Sequence, residues 1–308
     1  AEQRKVVMQR GQISYDKLVI APGVDFSYDS IAGLDNAEAQ REIPHAWKAG
    51  EQTLLLQRQL QAMPDDGVFV ISIPLMPYRC PPGPYERACQ AAYYFKQHKP
   101  RAKIILLDAN PDIVSKKALF THAWKELYPG MIDYRPNSTV IDVNVKARTV
   151  QTEFETVKSD VLNVIPPQRA GLPAQLAGAV NIDGRWCEVD FVTYASAVIP
   201  HVHVIGDAVS AGLPKSAHMA TSQAHVCAAA IAAMLAGQSP DPLPVFGNTC
   251  YSFVDDRMAM HVANVYRYDP SKKIMVSAEG GGVSDHPSEV EGNYAQYWAR
   301  NIWSDVLA

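Results

Sequence analysis

Apolar residues along this chain follow two rhythms. Short unbroken runs, Leu18-Val19-Ile20-Ala21, Val68-Phe69-Val70-Ile71, Ile104-Ile105-Leu106-Leu107 and Val161-Leu162-Asn163-Val164-Ile165, have the length of strands buried on both faces. Between and after them, apolar positions recur every three or four residues over 44–63 (Trp47, Leu54, Leu55, Leu60), 85–96, 114–128, 214–235 and 293–307. That period is helical. Residues 1–14 read as a hairpin turning at Arg10-Gly11, 33–43 as a polar connection, and Pro64-Asp65-Asp66-Gly67 as a turn into the Val68 strand. Shorter strand patterns stand at 139–144 and 149–152, and beyond residue 250 at 251–254, 258–268 and 274–277, with Gly280-Gly281-Gly282 as a turn. Strands alternating with helices predict an α/β fold, and the order βαβα followed by a meander predicts a dinucleotide-type domain over 36–168.

In such a domain the turn after the Val68 strand would carry Gly-x-Gly-x-x-Gly, whose glycines let a pyrophosphate approach the helix N-terminus. Here it reads Pro77-Tyr78-Arg79-Cys80-Pro81-Pro82-Gly83-Pro84, with four prolines and one glycine. A phosphate has no cradle there. Asp108, at the end of the next strand, stands where an acidic residue would hold a ribose hydroxyl. That contact alone cannot replace the phosphate site, so NAD(P)H binding and an NADH-driven thiol reductase are disfavoured. The turn offers instead a cysteine at the mouth of a helix beside Arg79, where cationic charge and the helix dipole both favour a thiolate.

Composition narrows the partners. A chain of 308 residues with 47% apolar content is long enough for two domains of ordinary size. Charged residues make up only 19%, and 22 Pro, 14 Tyr and 5 Trp point to extensive interior and interface surface. A net charge of −4 argues against nucleic acid as a partner. No apolar run reaches the roughly 18 residues of a transmembrane segment. Five cysteines, without a Cys-x-x-Cys pair or clustered histidines, argue against a metal site and leave room for one or two disulfides. No Cys-x-x-Cys-His haem site is present.

Two stretches carry a resemblance. Tyr15-Asp16-Lys17-Leu18-Val19-Ile20-Ala21-Pro22-Gly23 is similar to the strand that closes the first half of the flavin domain in glutathione-reductase-like flavoproteins, a group with two dinucleotide folds. Residues 193–208, an apolar strand ending in Gly206-Asp207 and entered from Thr193, resemble the second half of the same signature, where the Asp accepts a hydrogen bond from the ribityl chain. The resemblance implies FAD as cofactor, with contacts at Pro22, Gly23, Gly206, Asp207 and Lys215. It implies two Rossmann-like dinucleotide-binding-type domains, 1–35 with 169–245 for flavin and 36–168 as a second domain expected not to bind NAD, followed by a C-terminal α+β interface domain over 246–308. In that group a βαβ unit with Gly-x-Gly-x-x-Gly precedes the first stretch. The expectation is therefore a chain truncated or nicked ahead of Ala1, or one whose first flavin-binding segment goes unseen.

Within the group, YRCPPGPYERA from Tyr78, VLNVIPPQRAG from Val161, GDAVSAGLPKSAHMATSQAHVCAAAI from Gly206 and GNTCYSFV from Gly247 resemble the flavoprotein subunit of flavocytochrome c sulfide dehydrogenase, a relative of sulfide:quinone reductase. In that family two distant cysteines form a redox-active disulfide over the flavin, and by motif they fall on Cys80 and Cys250. The resemblance implies oxidation of hydrosulfide to sulfur or polysulfide, electrons passing through FAD to a c-type cytochrome subunit that carries the haem, and a periplasmic location. FAD attachment through a cysteine in the preceding segment is also implied. Glu86, six residues after Cys80, is the candidate for proton transfer; its other reading is a first-turn carboxylate that complements the helix dipole. For Cys80 and Cys250 the other reading is a static staple closing about 170 residues. Cys89, Cys187 and Cys227 read as small buried hydrophobes. A quinone-reducing enzyme of the same core, or a non-catalytic scaffold chain, are the alternatives. The final helix carries Arg300 and Asp305 without a basic apolar anchor, which favours haem over membrane quinone.

Overall fold

The computed structural model describes residues 4–307; residues 1–3 of the expected hairpin lie outside them. Three of the unbroken apolar runs, with Ile132–Arg135 added at one edge, form a four-stranded parallel sheet in the order Val161–Val164, Val68–Ile73, Lys103–Asp108, Ile132–Arg135. Ile71 faces Asn163 on one side and Leu106 on the other. Both faces of this sheet are covered, which is why its strands show no alternation. On one, the helices Gly83–His98 and Lys117–Leu127 lay Tyr85, Ala88, Phe95, Phe120 and Trp124 against Phe69, Ile71 and Ile73. On the other, Val70, Leu107, Leu162 and Val164 pack against Val143, Val150 and Val157 of an antiparallel meander, together with Ile31 and Leu34. Each of the larger aliphatic and aromatic side chains so buried contributes roughly 1.5–3 kcal/mol.

A second core gathers around two small sheets. Leu18–Ile20 runs parallel to Val202–Val204, and Val24–Phe26 antiparallel to Gln168–Ala170. Trp186, Tyr194, Val204, Met219 and Phe246 are buried among them. The helix Ala217–Leu235 leads from this core to an antiparallel sheet of Val245–Phe253, Ala259–Asp269, Ile274–Ser277 and Gly282–Val283, and the chain closes with the helix Glu289–Leu307. The fold is α/β, as the two rhythms predict.

Several expected boundaries move, and for four of them the hydrogen bonds or backbone conformation give the reason. The helix expected over 44–63 begins only at Glu51, because Asn163 Nδ2 holds the carbonyls of Pro44 and His45 (both 2.8 Å) and Arg87 holds those of His45 and Ala46. The connection 33–43 contains a helix, Ala37–Glu42, capped by Asn36 Oδ1 accepting from the Ala39 N–H at 2.8 Å. The helix expected from 214 starts at Ala217, where the Ser216 hydroxyl accepts from the Met219 N–H. Of the strand expected over 193–208 only Val202–Val204 forms; Tyr194 and His201 adopt left-handed backbone, which breaks it into turns.

Candidate active site

The Val68–Ile73 strand delivers the chain to the carboxyl edge of the parallel sheet, where ligands of open α/β sheets bind. The turn beyond it is pinned from several directions. The Arg79 N–H donates to Gln168 Oε1 (2.8 Å), the Trp47 indole N–H donates to the Arg79 carbonyl (2.9 Å), and the Cys80 N–H donates to the Lys215 carbonyl (2.8 Å). Cys80 itself sits in the left-handed region, with φ 57°. Its carbonyl accepts from the Gly83 N–H (2.9 Å), which opens the helix Gly83–His98. A side chain at position 83 would put its Cβ 2.8 Å from the Trp47 ring and 3.0 Å from Cys80 Sγ. Glycine is the residue that fits.

Cys250 reaches the same place from the other direction, from within the strand Val245–Phe253 opposite Val262. The two thiols, 170 positions apart in sequence, are free and line the same cavity, close enough for each to shift the other's acidity. Their electrostatics differ. The neighbouring Cys80 draws the Cys250 thiol down to about 7, against the opposing effect of burial, and the Lys116 charge acts in the same downward direction. The neighbouring Cys250, with burial, holds Cys80 well above the ordinary thiol range. The directions of the two shifts make Cys250 the more acidic thiol of the pair. Arg79, whose charge was to favour a thiolate at Cys80, turns away to pair its Nε with Asp207 Oδ2 at 2.7 Å.

Glu86, in the first turn of the cysteine helix, is half-buried, and its Oε1 accepts from the Phe253 N–H at 2.9 Å. Burial raises its pKa, while the Phe253 N–H and the Lys116 charge oppose the rise. Next in sequence, Arg87 stacks its guanidinium on the Trp47 ring at 4.6 Å and donates to Asn163 Oδ1 (2.7 Å) and the His45 carbonyl (3.0 Å). Burial pulls its pKa down to about 10.

Two cavities meet at Cys250, and Cys80 lines the first of them. The first, of about 540 Å³, is bordered by Gly23, Arg79, Cys80, Gly206, Asp207 and Thr249, and by the first turn of the helix Ala217–Leu235. The second, of about 640 Å³, is bordered by Pro77, Pro82, Lys116, Trp186 and Asn264. Cys250, Lys215 and Ser216 line both. Of the residues expected to hold flavin, Gly23, Gly206, Asp207 and Lys215 come together on the first cavity. Pro22 lies instead on a separate groove with Tyr15, Leu18 and Val202. Gly206, at φ 77°, donates its N–H to Gln223 Oε1 (2.6 Å). Lys215 Nζ donates to the carbonyls of Asp207 (2.6 Å) and Val209 (2.9 Å) and lies 3.8 Å over the Trp186 ring, and its burial lowers its pKa to about 8.

Asp108 is not available to a ribose. It is fully buried, its oxygens accepting from Tyr85 OH (2.7 Å), Tyr134 OH (3.0 Å) and Asn110. Cys89, Cys187 and Cys227 are buried thiols whose pKa values burial raises, and Cys89 Sγ accepts from the Trp124 indole N–H at 3.2 Å. Sequence reasoning missed Lys116, Gln168, Arg87 and the pinning role of Trp47. Lys116, second in Ser115-Lys116-Lys117 ahead of a helix, carries the signature of an exposed residue. It is buried, in left-handed backbone with φ 52°, and its Nζ donates to the Cys250 carbonyl at 3.0 Å.

This architecture, a parallel dinucleotide-type sheet joined to a second α/β core and an antiparallel C-terminal sheet, is that of the flavin-dependent disulfide oxidoreductases. The flavoprotein disulfide reductase RclA of Escherichia coli superposes with a TM-score of 0.56 at 15% identity, over 85% of this chain and 54% of its own. A chain of the Tetrahymena thermophila mitochondrial ATP synthase superposes with a TM-score of 0.65 at 19% identity, over 86% of this chain and 67% of its own. Likenesses at such identity show the fold alone. The central model of the sulfide dehydrogenase (flavocytochrome c) flavoprotein chain matches residues 53–166, and the flavin-binding model of flavocytochrome c sulphide dehydrogenase matches residues 242–307. Together they cover more than half of the chain, which belongs to this family of flavoprotein chains. The mitochondrial sulfide:quinone oxidoreductase of Mus musculus is 24% identical over 243 residues, 74% of this chain and 52% of that protein. The chain thus spans about half the length of this relative.

Proposed function

We propose that this chain is the sulfide-oxidising flavoprotein of a sulfide dehydrogenase, with Cys80 and Cys250 as its redox pair, 1–35 with 169–245 as the flavin domain, 36–168 as a second dinucleotide-type domain and 246–308 as the interface domain. The observation that carries the reading is the convergence of two cysteines, 170 residues apart in sequence, on one cavity wall in a chain of this family.

The first cavity suits the flavin. Its volume is in the range of small-molecule sites. Its walls include the small residues Ala21, Gly23, Gly206, Ala217 and Ala220, against which a flat ring can lie. The N-terminal turn of the helix Ala217–Leu235 brings positive dipole to the same wall, favourable to charge on a reduced ring. Asp207, with Oδ2 engaged by Arg79, keeps Oδ1 for a ribityl hydroxyl. When bound, FAD accepts two electrons from the cysteine pair and passes them onward.

The acidity difference assigns the cysteines. In the oxidised pair, hydrosulfide attacks one sulfur and the other leaves, and the better leaving group is the sulfur of lower pKa. That is Cys250, whose departing thiolate has the Lys116 ammonium beside it. Attack therefore falls on Cys80: its bond to Cys250 breaks, a Cys80 persulfide forms, and Cys250 takes the electron pair. A second hydrosulfide removes the outer sulfur as hydrodisulfide, leaving both cysteines reduced. Glu86, half-buried and with its pKa raised by desolvation, is the carboxyl proposed to carry the proton to and from Cys80.

The family supports a c-type cytochrome subunit as electron acceptor, with the haem on that partner, a periplasmic location, and an FAD link to a cysteine outside these residues. The likeness to a sulfide:quinone oxidoreductase favours quinone as the second reading. Among the described residues no helix is long and apolar enough to cross a membrane. The test is anaerobic mixing of hydrosulfide with the full-length, flavin-loaded protein, followed by reoxidation with cytochrome c or a short-chain quinone. Wild type is expected to lose its flavin absorbance and recover it with cytochrome c. Cys80→Ser and Cys250→Ser should keep flavin and fail to bleach. Bleaching that persists in both variants would refute the reading, and recovery with quinone alone would select the second.

A further inference from the structure

We infer that the second cavity is the chamber from which the second hydrosulfide removes the outer sulfur of the Cys80 persulfide, and that Lys116 is the cation that holds hydrosulfide or a short polysulfide there beside Cys250. The inference rests on the sulfide-oxidising reading and adds to it the route and the residue. The first cavity has the small walls, helix N-terminus and carboxylate of the flavin site, so a reductant reaching the cysteines while flavin is bound needs the other approach. The second cavity borders Cys250 directly and is large enough for more than one sulfur atom.

Its chemistry selects the occupant. Lys116 is buried, and a buried ammonium is unfavourable unless compensated. It has three donors, of which one goes to the Cys250 carbonyl, and no carboxylate lies within ion-pair distance of it among the described residues. Lys215, the other buried lysine on this wall, is by contrast held by two carbonyls and the Trp186 face. An incompletely neutralised cation in a closed space is an anion site. The surrounding walls combine apolar residues such as Pro77, Pro82, Trp186 and Val262 with the hydroxyls and amides of Ser115, Ser210 and Asn264, and include no arginine fork. They suit a small, soft, weakly hydrated anion better than a phosphate, which takes several strong donors. Burial lowers the Lys116 pKa, and the charges of Cys250, Glu86 and Cys80 oppose that, as they would for a cation retained at an anion site.

The experiment compares two reagents of nearly equal size, anionic iodoacetate and neutral iodoacetamide, on Cys250 of the reduced, full-length, flavin-loaded protein. Alkylation is mapped by peptide mass. The thiolate population affects both rates alike, so their ratio isolates the charge of the chamber. Lys116→Gln is expected to lower the iodoacetate-to-iodoacetamide ratio about tenfold, since a unit charge about 4 Å away at the effective dielectric of a partly buried site is worth more than that factor. Lys116→Arg should retain most of the ratio. An unchanged ratio in Lys116→Gln, or an equal fall in Lys116→Arg, would overturn the inference. In the wild type alone, thiocyanate should protect Cys250 from iodoacetamide where sulfate at equal ionic strength does not, and failure to protect would overturn it too. Neither readout requires sulfide turnover, so a wild type inert to sulfide refutes the function while the ratio still decides the chamber.

Discussion

The unequal acidity of the two thiols makes a quantitative prediction about their reactivity. An ordinary thiol at its usual value of 9.0 is about 1% thiolate at pH 7, whereas Cys250, drawn down to about 7, is roughly half thiolate there, a gain of about 50-fold. Intrinsic nucleophilicity falls with pKa at a Brønsted slope of ~0.4–0.5, which over two decades of acidity removes a factor of about 8. The net expectation is that Cys250 of the reduced protein reacts at pH 7 about sixfold faster than an unperturbed thiol of equal access, with an inflection near pH 7. Cys80, held well above the ordinary thiol range, should lag far behind until strongly alkaline pH. The assay is a pulse of isotope-labelled iodoacetamide on the reduced protein over a pH series, quenched and mapped by peptide mass. Cys80→Ala removes the largest cause of the lowering and should move the Cys250 inflection toward its ordinary value. Cys80 reacting first, or a Cys250 inflection at the usual thiol pH, would refute the electrostatics described above.

Other residues give further tests. Glu86→Gln keeps an acceptor for the Phe253 N–H, so thermal unfolding should shift little, while sulfide turnover should fall by about 10²–10⁴ if the carboxyl moves a proton; loss of stability with unchanged turnover would return Glu86 to a purely structural role. His45, buried against Phe26 and accepting from the Trp47 N–H, is lowered to about 4, chiefly by burial. Between its ordinary 6.5 and about 4 the unfolded chain binds a proton that the folded chain refuses, so stability is lost as pH falls through that window, by up to ~3 kcal/mol. His45→Asn, which keeps an acceptor, should flatten that part of the urea-unfolding pH profile, and an unaltered slope would contradict the assignment. Arg87→Met leaves Asn163 and two backbone carbonyls without their donor and should destabilise by about 3–5 kcal/mol in urea; a cost below about 1 kcal/mol would show that water replaces the guanidinium.

The parallel sheet was legible because its strands are covered on both faces, which turns the two-residue alternation into continuous runs such as Val68–Ile71. The cysteine helix was legible from its spacing and from the prolines ahead of it. Residues 44–50 were misread because the apolar period extends through Trp47, while the backbone there is committed to side chains far away in sequence, Arg87 and Asn163. Nothing local in the sequence marks such a capture. The juxtaposition of Cys80 and Cys250 came from the motif resemblance alone, since two distant cysteines carry no periodic signal. Which of them is the more acidic depends on Arg79 choosing Asp207 and on Lys116 folding inward, both tertiary events. Asp108 shows the converse: its position at a strand end was readable, and the tyrosines that enclose it were not.

The central claim is that sulfur is transferred to Cys80 of a Cys80–Cys250 redox pair. The most direct measurement is to add one equivalent of hydrosulfide anaerobically to the oxidised full-length protein, trap with a thiol-alkylating reagent within the first turnover, and map the products by peptide mass. The predicted result is one additional sulfur atom on the Cys80 peptide, with Cys250 alkylated directly. A persulfide on Cys250, or two cysteines unaltered by sulfide while the flavin is reduced, would contradict it.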